Sequence, residues 1–168
     1  MEVILLEAPQ EALALAGNLR EGGHGRKMIS LELAQALKTA GLVWRADLHH
    51  FFAIPERGFD DRIFVISDMM ANLDLLKGWP IVAFHGAVEW ALDYILTTEV
   101  VWMPTEEQLR QELEEILLGE PEVVLQLGWR PQGYICDIRF RGESLSFEAK
   151  TASDAYGLAL LHILHIVG

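Results

Sequence analysis

The sequence predicts an α+β fold, a single compact domain whose C-terminal part runs helix, three-stranded antiparallel meander, helix. Three observations carry that prediction. The runs VVLQLGWR, YICDIRFR and SLSFEAK alternate apolar and polar residues with period two, and Pro131-Gln132-Gly133 and Gly142-Glu143 separate them. Period two with turn residues between the runs is the signature of neighbouring antiparallel strands. Ahead of the meander, Thr105-Glu106-Glu107-Gln108 has capping-box spacing, in which a hydroxyl and an amide each cover an exposed backbone donor, so a helix is expected over 106–118, ending at Gly119. Behind it, DAYGLALLHILHIV is apolar on nearly every side, and such a helix, expected to be capped near Ser153, must be covered twice.

The chain opens less regularly. Residues 21–41, EGGHGRKMISLELAQALKTAG, resemble the phosphate loop of the ParA-type ATPases, which wraps phosphates in backbone amides and holds magnesium with a hydroxyl. Here Glu21, Arg26 and Lys27 stand where that loop needs Lys, Lys and Thr, and no strand leads directly into it. A nucleotide site is therefore not expected. After Met28 the pattern becomes regular: Ser30 is placed as an N-cap, and Leu33, Ala34, Leu37 and Ala40 share one face of a helix closing at Gly41. Translation is expected to begin at Met28, with residues 1–27 a loosely attached or non-native extension and 28–168 the domain.

Between the two ends, VWRADLHHFFAIP reads as a strand region ending at Pro55, ERGFDD as a charged turn, and RIFVISD as a buried strand. MMANLDLLKG reads as a short helix stopped by Gly78, and Trp79-Pro80-Ile81-Val82-Ala83-Phe84 as another strand. Residues 87–98, AVEWALDYILTT, space their apolar positions as a half-buried helix, and VVWMP either extends it or forms a brief strand. On the meander, one face would carry Leu125, Leu127, Trp129, Tyr134, Cys136, Ile138 and Phe147 inward.

Composition narrows the function classes. Thirteen basic against 25 acidic residues give a net charge of -12, which repels a nucleic-acid backbone and disfavours bulk DNA or RNA binding. No apolar run approaches the ~18 residues that span a bilayer, and MEVILLEAPQ lacks the basic start of a secretory signal, so a cytoplasmic location is expected. Cys136, the single cysteine, reads as a buried, inert thiol. Few Asn and many Arg suit a heat-tolerant bacterial source.

Four clusters hold the chemistry-bearing residues. His162 and His165 sit three apart on the last helix, and His49, His50 and His85 lie elsewhere, but no carboxylate accompanies the pair, so no metal site is predicted. Asp60, Asp61 and Glu89 near His50 or His85 are the material for acid–base chemistry, the basis of a small-hydrolase alternative. The outer face of the meander gathers Arg130, Arg139, Arg141 and Lys150, a docking patch for an acidic partner or nucleic acid, with Asp137 and Glu148 placed to pair with them. Five tryptophans exceed what a core of this length needs, which suits an interface.

Two resemblances follow from these residues. The order helix, three strands, helix from 105 onward resembles double-stranded RNA-binding domains, and FEAKTASDAYGLALLHIL resembles HicB-type antitoxins. Ser153-Asp154 stands where the RNA-binding domains carry a basic cluster. From Met28 to about Leu164 the chain also resembles a family of small uncharacterised bacterial proteins, through ISLELAQALKTAGLVW, DLHHFFAIPERGFDDRIFVISDMM, FHGAVEWALDYILTTEVVWMPTEEQLR and FEAKTASDAYGLALL. That resemblance implies no established activity, although some members carry a pilus-assembly label. The expectation is a cytoplasmic, non-enzymatic interaction or regulatory module, without cofactor, that binds a protein partner and self-associates through its last helix. A small hydrolase and an antitoxin-like or RNA-associated protein are the alternatives.

Overall fold

The structure is a computed structural model, and it describes residues 28–55, 62–66, 71–84 and 94–168. In chain order its elements are α1 (Leu31–Thr39), β1 (Phe51–Ala53), β2 (Ile63–Val65), β3 (Ala71–Leu76), β4 (Trp79–Phe84), β5 (Tyr94–Leu96), β6 (Val101–Trp102), α2 (Glu106–Leu117), β7 (Val124–Arg130), β8 (Gly133–Phe140), β9 (Glu143–Ala149) and α3 (Ala152–Val167). They fall into two compact units. One joins the described residues up to Leu42 with Thr105–Gly168, and the other is Val43–Pro104.

The first unit is the expected α+β arrangement, helix, meander, helix, with α1 added. Ser30 Oγ accepts from Leu33 N at 3.3 Å and starts α1, which buries Leu33, Ala34 and Leu37. The capping box of α2 is present as read: Gln108 N donates to Thr105 Oγ1 at 3.4 Å, and Thr105 N donates to Gln108 Oε1 at 2.9 Å. Leu109, Leu113 and Leu117, four apart, form the buried stripe of α2.

The meander has the order β7-β8-β9 with Leu127 opposite Cys136 and Cys136 opposite Phe147. Its inner face is buried on β8 and β9, where Cys136, Ile138, Phe140, Leu145 and Phe147 meet α3. On β7 the same face is only half-covered, and Trp129, expected inward, is 69% exposed. The period-two reading gave the correct face, but the helical cover ends before it reaches Trp129.

The last helix is capped by Thr151, whose Oγ1 accepts from Asp154 N at 3.0 Å, two residues ahead of Ser153, which is buried in its first turn. Asp154 is 6% exposed; its Oδ1 accepts from Ser30 N at 3.0 Å and its Oδ2 from Thr151 Oγ1 at 2.8 Å. One carboxylate thus fastens the start of α3 to the start of α1, and a negative group at a helix N-terminus is favoured by the helix dipole. Gly157 sets the approach of the two helices: a Cβ there would lie 2.8 Å from Ile29 Cδ1 and 2.9 Å from Leu33 Cδ2. The sheet covers one side of α3, and α1 and α2 pack against others. From Ala152 to Ile163 the helix is therefore largely buried by its own chain, while Ile166 and Val167 in its last turn stay exposed.

The middle unit departs further from expectation. Its two antiparallel sheets, β2-β1-β6 and β3-β4-β5, enclose Phe52, Ile54, Ile66, Val82, Ile95 and Val100, with Trp44, Ala46 and Phe64 against them. The helix expected in MMANLDLLKG is instead the strand β3, paired with β4 from Ala71 opposite Phe84 to Leu76 opposite Trp79. Lys77 (φ 52°) and Gly78 (φ 85°) form the two-residue turn between them, so Gly78 turns a hairpin and does not stop a helix. Tyr94–Leu96, expected within a helix, is strand β5, and residues 87–93 of that reading lie outside the described residues. The expected buried strand at 62–68 is β2, half-buried along Ile63 and Phe64, with Val65 exposed and the buried residue being Ile66. VVWMP forms the brief strand β6. Among the described residues no helix is long and apolar enough to cross a membrane.

Candidate functional site

The four bases of the outer meander face do not form one patch. Arg130 sits opposite Gly133 at one end of β8, and Arg141 follows Phe140 at the other. Eight residues at ~3.4 Å each separate them by roughly 25 Å. Arg141 lies in a left-handed turn conformation (φ 52°) with its guanidinium over the Phe140 ring, and it donates to Glu120 Oε1 from Nη2 at 2.7 Å and from Nε at 3.1 Å. Arg139 is exposed between Val124 and Ser144. The carboxylate expected to balance these bases in mid-sheet, Asp137, accepts instead from Ser146 Oγ at 2.6 Å.

At the Arg130 end the surface is hollow. A recess of about 360 Å³ is lined by Arg130, Gln132, Gly133, Tyr134, Ile135, Glu148, Ala149 and Lys150. Two glycines lie beside it. Gly128 and Gly133 share the outer face with Ile135, and the Ile135 side chain and the Ala149 carbonyl crowd the places where a Cβ would stand. Gly133 tolerates nothing larger, because a Cβ would stand 2.3 Å from the carbonyl oxygen of Ala149. Arg130 Nη1 meets Glu148 Oε1 at 3.3 Å across the recess, with both side chains largely exposed. On the opposite face of the same end stands the uncovered indole of Trp129, cross-strand from Tyr134. Arg130 and Lys150, expected together on this face, both line the recess, while the glycines at its edge were not anticipated.

Of the acid–base candidates, His50 is the one within the described residues; Asp60, Asp61, His85 and Glu89 lie outside them. His50 is in the bend before β1, not on a strand as read. Its Nδ1 accepts from Trp44 Nε1 at 3.1 Å, and its ring stacks on Trp102 with centroids 5.6 Å apart. Burial lowers its pKa against an opposing pull from Asp47, so the ring is neutral at pH 7 and its one basic nitrogen is occupied. A proton acceptor already engaged by an indole is a poor general base. Trp102 Nε1 is buried and has no hydrogen-bond partner among the described residues.

The remaining candidates are structural in surroundings. Cys136 is fully buried, and burial, aided by Asp137, pushes its thiol up to about 12, far from the thiolate needed for nucleophilic work. His162 packs its ring 5.4 Å from that of Phe147, and burial and His165 lower its pKa. No group of three or more His, Cys, Asp or Glu lies together among the described residues.

Compared with protein-family models, curated proteins and solved structures, the chain shows no match. A functional reading therefore rests on its own residues.

Proposed function

We propose that this chain is a non-enzymatic, cytoplasmic protein-interaction module that grips its partner with the turn end of the C-terminal meander. The observation that carries the reading is Trp129, 69% exposed beside Arg130 and opposite Tyr134. Trp, Tyr and Arg are the residue types that dominate binding energy at interfaces, because large flat groups bury much area at little cost in rotamer entropy. An indole left in water at a rigid sheet end is disfavoured in the free chain and gains on docking. The recess on the other face gives a partner a second hold.

The alternatives draw less support. A hydrolase needs a free base, and His50 is engaged by Trp44. A nucleic-acid surface needs an open row of cations, whereas Arg130 and Arg141 are ion-paired at opposite ends of β8.

Native mass spectrometry of the full chain captured from its own host, as wild type and as Trp129→Ala, tests the proposal. The expected result is a stoichiometric partner on the wild type that is lost from the variant, while the two forms melt together. A partner retained equally by both, or a chain that emerges alone in both, overturns it.

A further inference from the structure

We infer that the recess receives a carboxylate of an acidic peptide segment, which displaces Glu148 from Arg130. The inference rests on the interaction-module reading and names the chemistry of the partner.

The argument begins with the register. Arg130 lies opposite Gly133, and Lys150 follows Ala149, the last residue of β9, so two cations flank a strand position that has no side chain. The Arg130–Glu148 pair joins the two outer strands across β8, a span of about 9.6 Å at ordinary strand spacing. The pair is weakly held: the contact is 3.3 Å, and the two side chains are 60% and 71% exposed. Glu148 is thus an internal occupant that an external carboxylate can replace.

An incoming carboxylate meets a better site than Glu148 does. It can take Arg130 in the two-pronged geometry that guanidinium favours, with the Lys150 ammonium as a second cation. Below these charges, Ile135 offers apolar contact to the residue beside the acid. A volume of about 360 Å³ is enough for one or two side chains, near the lower end of ligand pockets, roughly 300–1,000 Å³. Charge selects a short segment with one or two carboxylates over a long polyanion, since two cations neutralise about two phosphates and the rest would face a chain of net charge -12.

The test is a titration of the isotope-labelled full chain, followed by NMR at the amides of Gly133, Ile135 and Glu148 and at the Trp129 indole. Three probes are added: a peptide alternating Glu and Val, the same peptide with Gln for Glu, and a single-stranded oligonucleotide of equal charge. Saturable shifts are expected with the Glu peptide alone. Arg130→Glu combined with Lys150→Glu should weaken binding by about ten-fold or more, with the other amides unmoved. Glu148→Gln should tighten it several-fold, since the internal competitor loses its charge. The inference is overturned by no saturable shift, by equal binding of the Gln peptide, by a Glu148→Gln variant that binds no better, or by an oligonucleotide that binds these amides more tightly. If the Glu peptide is silent while a Trp129-dependent partner persists in mass spectrometry, the acidic occupant fails and the module stands. If that partner is absent too, both fail.

Discussion

The C-terminal meander and the middle unit are built from the same device, antiparallel strands joined by tight turns, yet one is transparent in sequence and the other is not. The meander strands are seven, eight and seven residues long, and alternation runs through most of each. In the middle unit β1, β2 and β5 are three residues each. Three residues make no period, so apolar content there signals burial without saying which element buries it. The lesson concerns length: alternation discriminates strand from helix once several repeats have accumulated.

The largest effect expected in either unit follows from its core aromatic. Phe147→Ala should cost about 3–5 kcal/mol, because a fully enclosed ring leaves a cavity that the flanking sheet and α3 cannot close. Phe52→Ala, equally buried in the middle unit, removes a ring that stacks on Phe64 at 5.5 Å and belongs to a smaller cluster whose short strands can relax. Its cost should fall at the lower end of the same range, about 3 kcal/mol. Urea denaturation of both variants measures the difference, and equal losses would show that short strands pack as rigidly as long ones.

Legibility followed local pattern. The Thr105–Gln108 capping box, the Leu109/Leu113/Leu117 stripe and the three long strands each announce themselves within a dozen residues. β3 was misread because LDLL fits a helix turn as well as a strand, and only its pairing with β4 decides. At the candidate site, Arg130 and Lys150 were legible as bases on one face. The exposure of Trp129 was not, since it depends on where α3 stops covering the sheet, a distance that no sequence pattern encodes. The role of Asp154 was likewise hidden: its partner Ser30 is 124 residues away.

That long-range hydrogen bond gives the second prediction. Asp154→Ala removes the acceptor of Ser30 N and of Thr151 Oγ1 in a buried setting, and should cost roughly 2–3 kcal/mol in denaturation, since both donors lose their partner at once. Asp154→Asn, which keeps one acceptor oxygen, should recover part of the loss. A neutral outcome for Asp154→Ala would mean that the two helix starts are held by apolar packing around Gly157 alone.

Alkaline pH separates the units in a different way. The Cys136 thiol is held up to about 12 in the folded chain, against about 8.5 when unfolded. Between these values the unfolded chain has lost a proton that the folded chain keeps, so stability is unaffected below about pH 8 and falls as pH rises. By about pH 10 the loss is on the order of 2 kcal/mol, and Cys136→Ala should remove that slope. Equilibrium unfolding at a series of pH values reads it directly, and a slope unchanged by the substitution would assign the alkaline loss to other groups.

The smallest effect bears most directly on the comparison. Both hairpins turn on an X-Gly pair with positive φ, Lys77-Gly78 in the middle unit and Arg141-Gly142 in the meander, and the glycines have φ of 85° and 81°. Neither would clash on gaining a Cβ, since nothing lies within 4 Å of either position. The cost of Gly78→Ala or Gly142→Ala is therefore purely the left-handed backbone, about 1 kcal/mol in each case. Because the local cost is matched, any inequality in measured stability reports how firmly each hairpin is coupled to its unit. Amide exchange across β3–β4 and β8–β9 should rise by the same factor in the two variants. A Gly78→Ala variant that speeds exchange in its hairpin without lowering the stability of its unit would show that β3–β4 opens by itself, and would trace the difference between the regions to cooperativity as well as strand length.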